Sequence, residues 1–168
     1  DDVRVYNRAL TAQEIADMYN NGLNGISPQK LKVSTSNNTI APSNLVGWWT
    51  FDGNKLNSTT STDSSPSGNN GTLSGGPVPV RGKIGQALSF DGTDDYVANS
   101  TFVWPAGGGS ITVSFWNFVA TGNGGSAFSI GSLDNPNRAQ AHVPAFDNTI
   151  YWDYGSTVGN GRVSVSYA

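Results

Sequence analysis

Between Leu45 and Ala168 the apolar residues recur with a period of two in short runs. Each run is cut off by Gly, Ser, Asn or Asp before a helix could form. Side chains alternate across a strand but recur every three to four residues on a helix, so this pattern commits most of the chain to β-structure. The expected strands are Leu45–Phe51, Ile84–Phe90, Asp95–Ala98, Ile111–Phe115, Ala127–Ile130, Gln140–Val143, Thr149–Tyr154 and Arg162–Tyr167. Asp95–Ala98 is expected as the hairpin partner of Ile84–Phe90. Ile111, Val113 and Phe115 make one inward row, with Trp116 and Phe118 on the opposite face. Asn57–Gly76 is expected as a long polar loop with a tight turn at Asn70-Gly71. Gly107–Gly109, Gly122–Gly125 and Gly155–Gly161 connect later strands. Strands at this spacing with no helix between them indicate a sandwich or barrel.

Composition supports a folded, loop-rich β protein. Hydrophobic residues make up 36% and charged residues 12%, yet the chain carries 5 Trp, 6 Tyr and 7 Phe, which disordered segments lack. The basic residues are scattered and the net charge is -3, so no phosphate-tracking stripe forms and nucleic acid is not an expected partner. With no cysteine, disulfides, thiolate metal sites and thiol catalysis are excluded. No stretch approaches the length of a membrane span, so membrane insertion is not expected. The chain opens on Asp1-Asp2 with no visible signal peptide and is expected to be a piece of a longer protein.

The first segment differs from the rest. Val3 and Val5 alternate with Asp2 and Arg4 as in a strand. Leu10-Thr11-Ala12-Gln13-Glu14-Ile15 then carries a complete helix start. Thr11 is the N-cap, Glu14 closes a capping box, and Leu10 and Ile15 stand at the staple positions. The helix is expected over Ala12–Tyr19 with Ile15, Met18 and Tyr19 as its apolar face, stopped by Asn21-Gly22. A linker follows over 21–44, with an edge strand at Lys30–Ser34 as the alternative.

Taken together these residues resemble the LamG-like jelly roll, a relative of concanavalin A-like lectin and glucanase domains. Leu45-Val46-Gly47-Trp48-Trp49-Thr50-Phe51-Asp52-Gly53 is similar to its opening strand. Residues 82–97, from Gly82-Lys83-Ile84-Gly85 to Asp94-Asp95-Tyr96-Val97, resemble its second motif, and Ser110–Trp116 the strand that follows. Asp1–Ile15 resembles the family's closing strand and helix. A closing motif therefore precedes an opening one. The resemblance implies an all-β, concanavalin A-like sandwich, incomplete, with one short helix near its start. It also implies tandem copies: 1–20 ends one, 21–44 links, and 45–168 opens the next. Circular permutation is the rival. First and last strands lie side by side in this fold, so Val3–Tyr6 is expected to pair with Trp48–Phe51 in any compact structure.

Few residues point to catalysis. Retaining glycosidases of this fold need two closely spaced carboxylates, and the only glutamate, Glu14, belongs to the capping box. Asp91-Gly92-Thr93-Asp94 has the composition of a turn. Calcium is the better reading for carboxylates, since hard cations take several loop oxygens. Asp94 and Asp95 are the candidate ligands, with Asp52 and Asp91 behind them. His142 stands without the Cys or His partners of a zinc site and without a nucleophile elbow, and is expected to be an ordinary hydrogen-bonded side chain. The tryptophans are expected mostly in the core, Trp49 and Trp116 among them. Trp104, Trp152 and Tyr154 are the candidates for an exposed sugar-binding surface. The glycine runs lack the context of a phosphate loop.

The expected function is a non-catalytic extracellular or cell-surface binding or adhesion module. Its expected partners are a glycan or an extracellular protein, and neighbouring modules of the same chain. A ligand-free repeat of a surface fibre or tail appendage is the alternative, and a glycosidase fragment the weakest reading. Fold alone selects none of them.

Overall fold

The structure is a computed structural model describing residues 1–23, 44–103, 109–119, 126–131, 139–143, 149–154 and 161–166. Trp104, the alternative strand at Lys30–Ser34, most of the linker and most of the glycine connectors lie outside the described residues. The fold class is the expected one, an all-β sandwich of antiparallel sheets with one helix. Two compact units are present, Asp1–Trp116 and Asn117–Ala168. Among the described residues no helix is long and apolar enough to cross a membrane.

The first unit is built on a sheet ordered β2-β1-β8, with β1 (Val3–Tyr6) between β2 (Leu45–Trp49) and β8 (Thr112–Ser114). The N-terminal strand pairs with the strand that starts at Leu45, in the register Val3↔Trp49, Arg4↔Trp48 and Val5↔Gly47, so its partner segment is Leu45–Trp49 rather than the expected Trp48–Phe51. On its other side Val5 faces Val113. A strand hydrogen-bonded on both sides and covered on both faces cannot keep a polar face in water. Val5 and Tyr6 are buried, but so are Asp2 and Arg4, which the alternation of the sequence assigned to the opposite side. Strand β2 ends at Trp49 rather than Phe51. Phe51 adopts φ 58, in the left-handed region where a bulky residue cannot continue a strand, and its ring is buried.

The helix α1 (Ala12–Leu23) begins where expected and runs four residues further. The Glu14 backbone N–H donates to Thr11 Oγ1 at 3.3 Å, and the Thr11 backbone N–H donates to Glu14 Oε2 at 2.8 Å, the reciprocal bonds of a capping box. Arg8 clamps the same carboxylate with bonds of 2.9 and 2.6 Å. Thr112 on β8 ties down the entry to the helix, accepting from the Leu10 N–H and donating to the Arg8 carbonyl. Gly22 is no helix stop. It is buried within the last turn, where a Cβ would lie 2.2 Å from Cζ2 of Trp116, so its missing side chain admits the indole. The expected apolar face is correspondingly half open. Ile15 and Tyr19 are exposed, Tyr19 stacks on Trp116 with centroids 5.6 Å apart, and Met18 Sδ accepts from the Tyr6 hydroxyl.

Hydrogen bonds from Arg8, then from the Thr11 backbone, hold the Glu14 carboxyl down to about 2. A carboxyl depressed by folding contributes stability that is full above its ordinary value of about 4.3 and is lost as pH falls through the folded value. Glu14→Gln is therefore expected to be less stable than the parent at neutral pH. The two should converge as pH is lowered from about 4.3 towards 2, when melts are followed across that window. A gap that stays constant to the acid end contradicts this assignment.

The stretch Asn57–Gly76 is more structured than its polar composition suggests. It holds β3 (Thr60–Ser61) and β4 (Gly71–Ser74), and β4 pairs with β7 (Tyr96–Ala98). Gly71 thus starts a strand instead of closing a tight turn. β6 (Gln86–Ser89) pairs not with β7 but with β5 (Val78–Arg81). The reason is the turn between them: the Gly82 N–H donates to the Gly85 carbonyl at 3.0 Å, and Gly85 takes φ 72, so β6 folds back on the residues before it.

The second unit is one antiparallel sheet ordered β12-β11-β10-β9, from β9 (Ser126–Ile130), β10 (Ala139–His142), β11 (Thr149–Tyr154) and β12 (Gly161–Ser166). Its register sorts the residues into two faces. Phe128, Ile130, Ala139, Ala141, Ile150, Trp152, Tyr154, Val163 and Val165 share one. Ser126, Gln140, His142, Tyr151, Asp153, Arg162 and Ser164 share the other.

Candidate functional site

The turn between β6 and β7 brings Asp91, Asp94 and Asp95 together, one carboxylate oxygen from each within 4.8 Å of the others. Local hydrogen bonds shape it. Asp91 Oδ1 accepts from the Thr93 N–H at 2.8 Å, and Asp95 Oδ2 accepts from the Asp91 N–H at 2.9 Å. The first is the Asx-type bond expected of a turn and the second ties the turn's end back to its start, so the turn reading and the carboxylate cluster are one structure. Gly75, at φ 81, packs against it so closely that a Cβ there would lie 2.5 Å from the Asp94 carbonyl oxygen and 2.6 Å from Asp95 Oδ1. Asp91 and Asp94 are exposed and Asp95 half-buried. Three carboxylates around one point supply the hard, anionic oxygens that calcium prefers.

Asp52 is not part of this group. Its Oδ1 accepts from the Gln86 N–H at 2.7 Å and lies against Gly85, so it holds the β5–β6 turn in shape. Two aromatic side chains the sequence reading passed over flank the cluster directly. Phe90 and Tyr96, immediately before Asp91 and after Asp95, are 49% and 54% exposed, open apolar surface beside the acidic turn.

Trp152 and Tyr154 lie in the second unit, on the same face of β11 as expected. Trp152 is half-buried and stacks on Phe128 at 6.3 Å, while Tyr154 is exposed and its ring covers Gly161. Of the tryptophans expected in the core, Trp49 and Trp116 are only half-buried. Trp49 donates its Nε1–H to the Asn69 carbonyl, and Trp116 lies between Tyr19 and the Lys83 ammonium. Trp48 is the buried one. Its Nε1–H donates to Asp2 Oδ1 at 2.7 Å, and Arg4 lies over its ring.

His142 is hydrogen-bonded, within a row that crosses all four strands of its sheet. Gln140 Nε2 donates to Ser126 Oγ. Ser126 Oγ lies 3.3 Å from His142 Nδ1, and His142 Nε2 lies 3.2 Å from Asp153 Oδ2. Arg162 then donates to both Asp153 oxygens at 2.6 and 2.8 Å. The Arg162 bonds are the main reason the buried Asp153 carboxyl sits below its ordinary range, against the opposing effect of burial. Residue type alone does not single out Ser126, Asp153 or Arg162, because their meeting depends on strand register.

No protein-family model and no curated protein matches the chain. Among solved structures it is similar to an S-layer domain-containing protein from Clostridium thermocellum, with a TM-score of 0.55 and 23% identity over 73% of this chain. The chain spans 57% of the length of that structure. A likeness at this identity concerns the fold, and agrees with the all-β sandwich described above.

Proposed function

We propose that the chain is part of a non-catalytic, carbohydrate-binding or adhesion module of the LamG-like, concanavalin A-like class, in an extracellular or cell-surface protein. The observation that carries the reading is the convergence of Asp91, Asp94 and Asp95 on an exposed turn flanked by Phe90 and Tyr96. Calcium held by the three carboxylates would present coordination sites to sugar hydroxyls, and the neighbouring aromatic faces suit the apolar faces of a sugar ring. The likeness in fold to a protein described as S-layer domain-containing supports a surface location. The non-catalytic part rests on the carboxylates: the single glutamate is engaged by Arg8 and Thr11.

Titration with calcium is expected to show binding at about 10⁻⁴–10⁻³ M, the range of extracellular modules. Asp94→Asn together with Asp95→Asn is expected to abolish it. A glycan array run with and without calcium then tests the ligand, with retention expected only when calcium is present. Binding to no glycan under either condition overturns the carbohydrate reading and favours a ligand-free structural repeat.

A further inference from the structure

The polar face of the second unit's sheet carries a row of side chains whose protons can be placed one by one. His142 of β10 lies opposite Ser126 of β9, and Asp153 of β11 lies opposite Gln140, two residues before His142. Residues directly opposite or two apart along a strand share a face, so all four side chains meet there. The Asp153 side chain is only 6% exposed, and Arg162 donates to both of its oxygens, which holds it as a carboxylate. A carboxylate only accepts, so His142 Nε2, 3.2 Å away, carries the hydrogen between them. In the neutral ring Nδ1 is then left with a lone pair, and it faces Ser126 Oγ at 3.3 Å. Gln140 Nε2 donates to the same Oγ, which leaves the hydroxyl's own proton for Nδ1. Access to solvent rises along the row, from buried Asp153 through half-buried His142 to exposed Ser126.

We propose that Ser126 is a nucleophilic acyl-acceptor site, activated by His142 and modified by an activated carboxylic ester. A serine hydroxyl is a weak nucleophile until a base takes its proton, and a base oriented by a third group is the arrangement that supplies this. In the step, a bond forms from Ser126 Oγ to the acyl carbon and the bond from that carbon to the leaving oxygen breaks. The Ser126 proton passes to His142 Nδ1 and on to the departing oxygen, so the products are the Ser126 ester and an alcohol. Asp153 keeps the ring in the tautomer that can accept this proton and stabilises the charge the ring gains. The acyl group stays on the protein, so this is a point of covalent modification, independent of the reading of the acidic turn in the first unit. A row with a purely structural role would leave Ser126 no more reactive than any other exposed serine.

The test treats the full chain with p-nitrophenyl acetate at neutral pH and follows acetylated peptides by mass spectrometry over time. Ser126 is expected to be acetylated about 100-fold or more faster than the exposed Ser58, the low end of what a positioned base contributes. His142→Ala should bring Ser126 down to the rate of Ser58, and added imidazole should restore part of the difference, which a disrupted sheet would not allow. His142→Gln keeps a hydrogen-bonding side chain in the row and should label as slowly as His142→Ala. Equal rates at Ser126 and Ser58, a His142 variant that labels like the parent, or no rescue by imidazole overturns the proposal.

Discussion

Asp2→Ala is expected to destabilise the first unit by about 3–5 kcal/mol, the range for stripping one partner from a buried ion pair. Asp2 accepts from Arg4 Nε at 3.3 Å, from Arg4 Nη2 at 2.5 Å and from the Trp48 indole at 2.7 Å. The Arg4 side chain is only 6% exposed, so without Asp2 its charge stays in the sheet with no counter-ion. Asp2→Asn should lose less, because asparagine keeps the indole's acceptor and tolerates φ 53 at this position. Adding Arg4→Met to Asp2→Ala should recover much of the loss, since the methionine fills the space without a charge. Urea denaturation of the three variants checks the order. A cost for Asp2→Ala below about 1 kcal/mol, or a double variant no better than the single, would show that the pair is not the keystone of β1.

Asp63→Ala is expected to cost about 2–4 kcal/mol. The carboxylate is buried and accepts from the backbone N–H groups of Trp48 at 2.8 Å, Ser65 at 2.7 Å and Asn69 at 2.7 Å, and from the Ser65 hydroxyl at 2.7 Å. Each donor left unsatisfied in a buried place costs about 1–3 kcal/mol, reduced here because water reaches the loop side. Asn69 in turn donates to the Val46 carbonyl and accepts from the Trp49 indole, so losing Asp63 loosens the loop from β2. The expected signature is a lower denaturation midpoint with a change in tryptophan emission. Asp63→Asn should fall between parent and alanine. Asp63→Ala melting with the parent would contradict the role of this carboxylate.

These two carboxylates also mark where the sequence stopped being legible. The strand Thr149–Tyr154, the helix start at Thr11–Glu14 and the pairing of the first strand with the one at Leu45 were all readable, because alternation, capping chemistry and motif order are local signals. Burial of Asp2 and Arg4 was not. A strand alternating apolar and charged residues looks the same at the middle of a sheet as at its face, until its neighbours are known. β3 and β4 were hidden by their Ser, Thr and Gly content, and the β5–β6 hairpin by Pro79. Gly22 looked like a helix stop because nothing in the sequence places Trp116 against it.

The candidate site was partly legible for the same reason. Asp91, Asp94 and Asp95 are close in sequence, so a single turn assembles them, whereas Asp52 had to come from another strand and is used elsewhere. The exposure of Phe90 and Tyr96 beside them emerges only once β6 and β7 are assigned to different hairpins.

The first residues of the chain form the middle strand of the first sheet rather than an appendage to it. Native-state hydrogen exchange measures this residue by residue. Amides within Val3–Tyr6 are expected to be protected to the same degree as those of Trp48 and Val113, their neighbours on either side. Exchange across Val3–Tyr6 at the rate of an unfolded chain, with Trp48 and Val113 still protected, would contradict it.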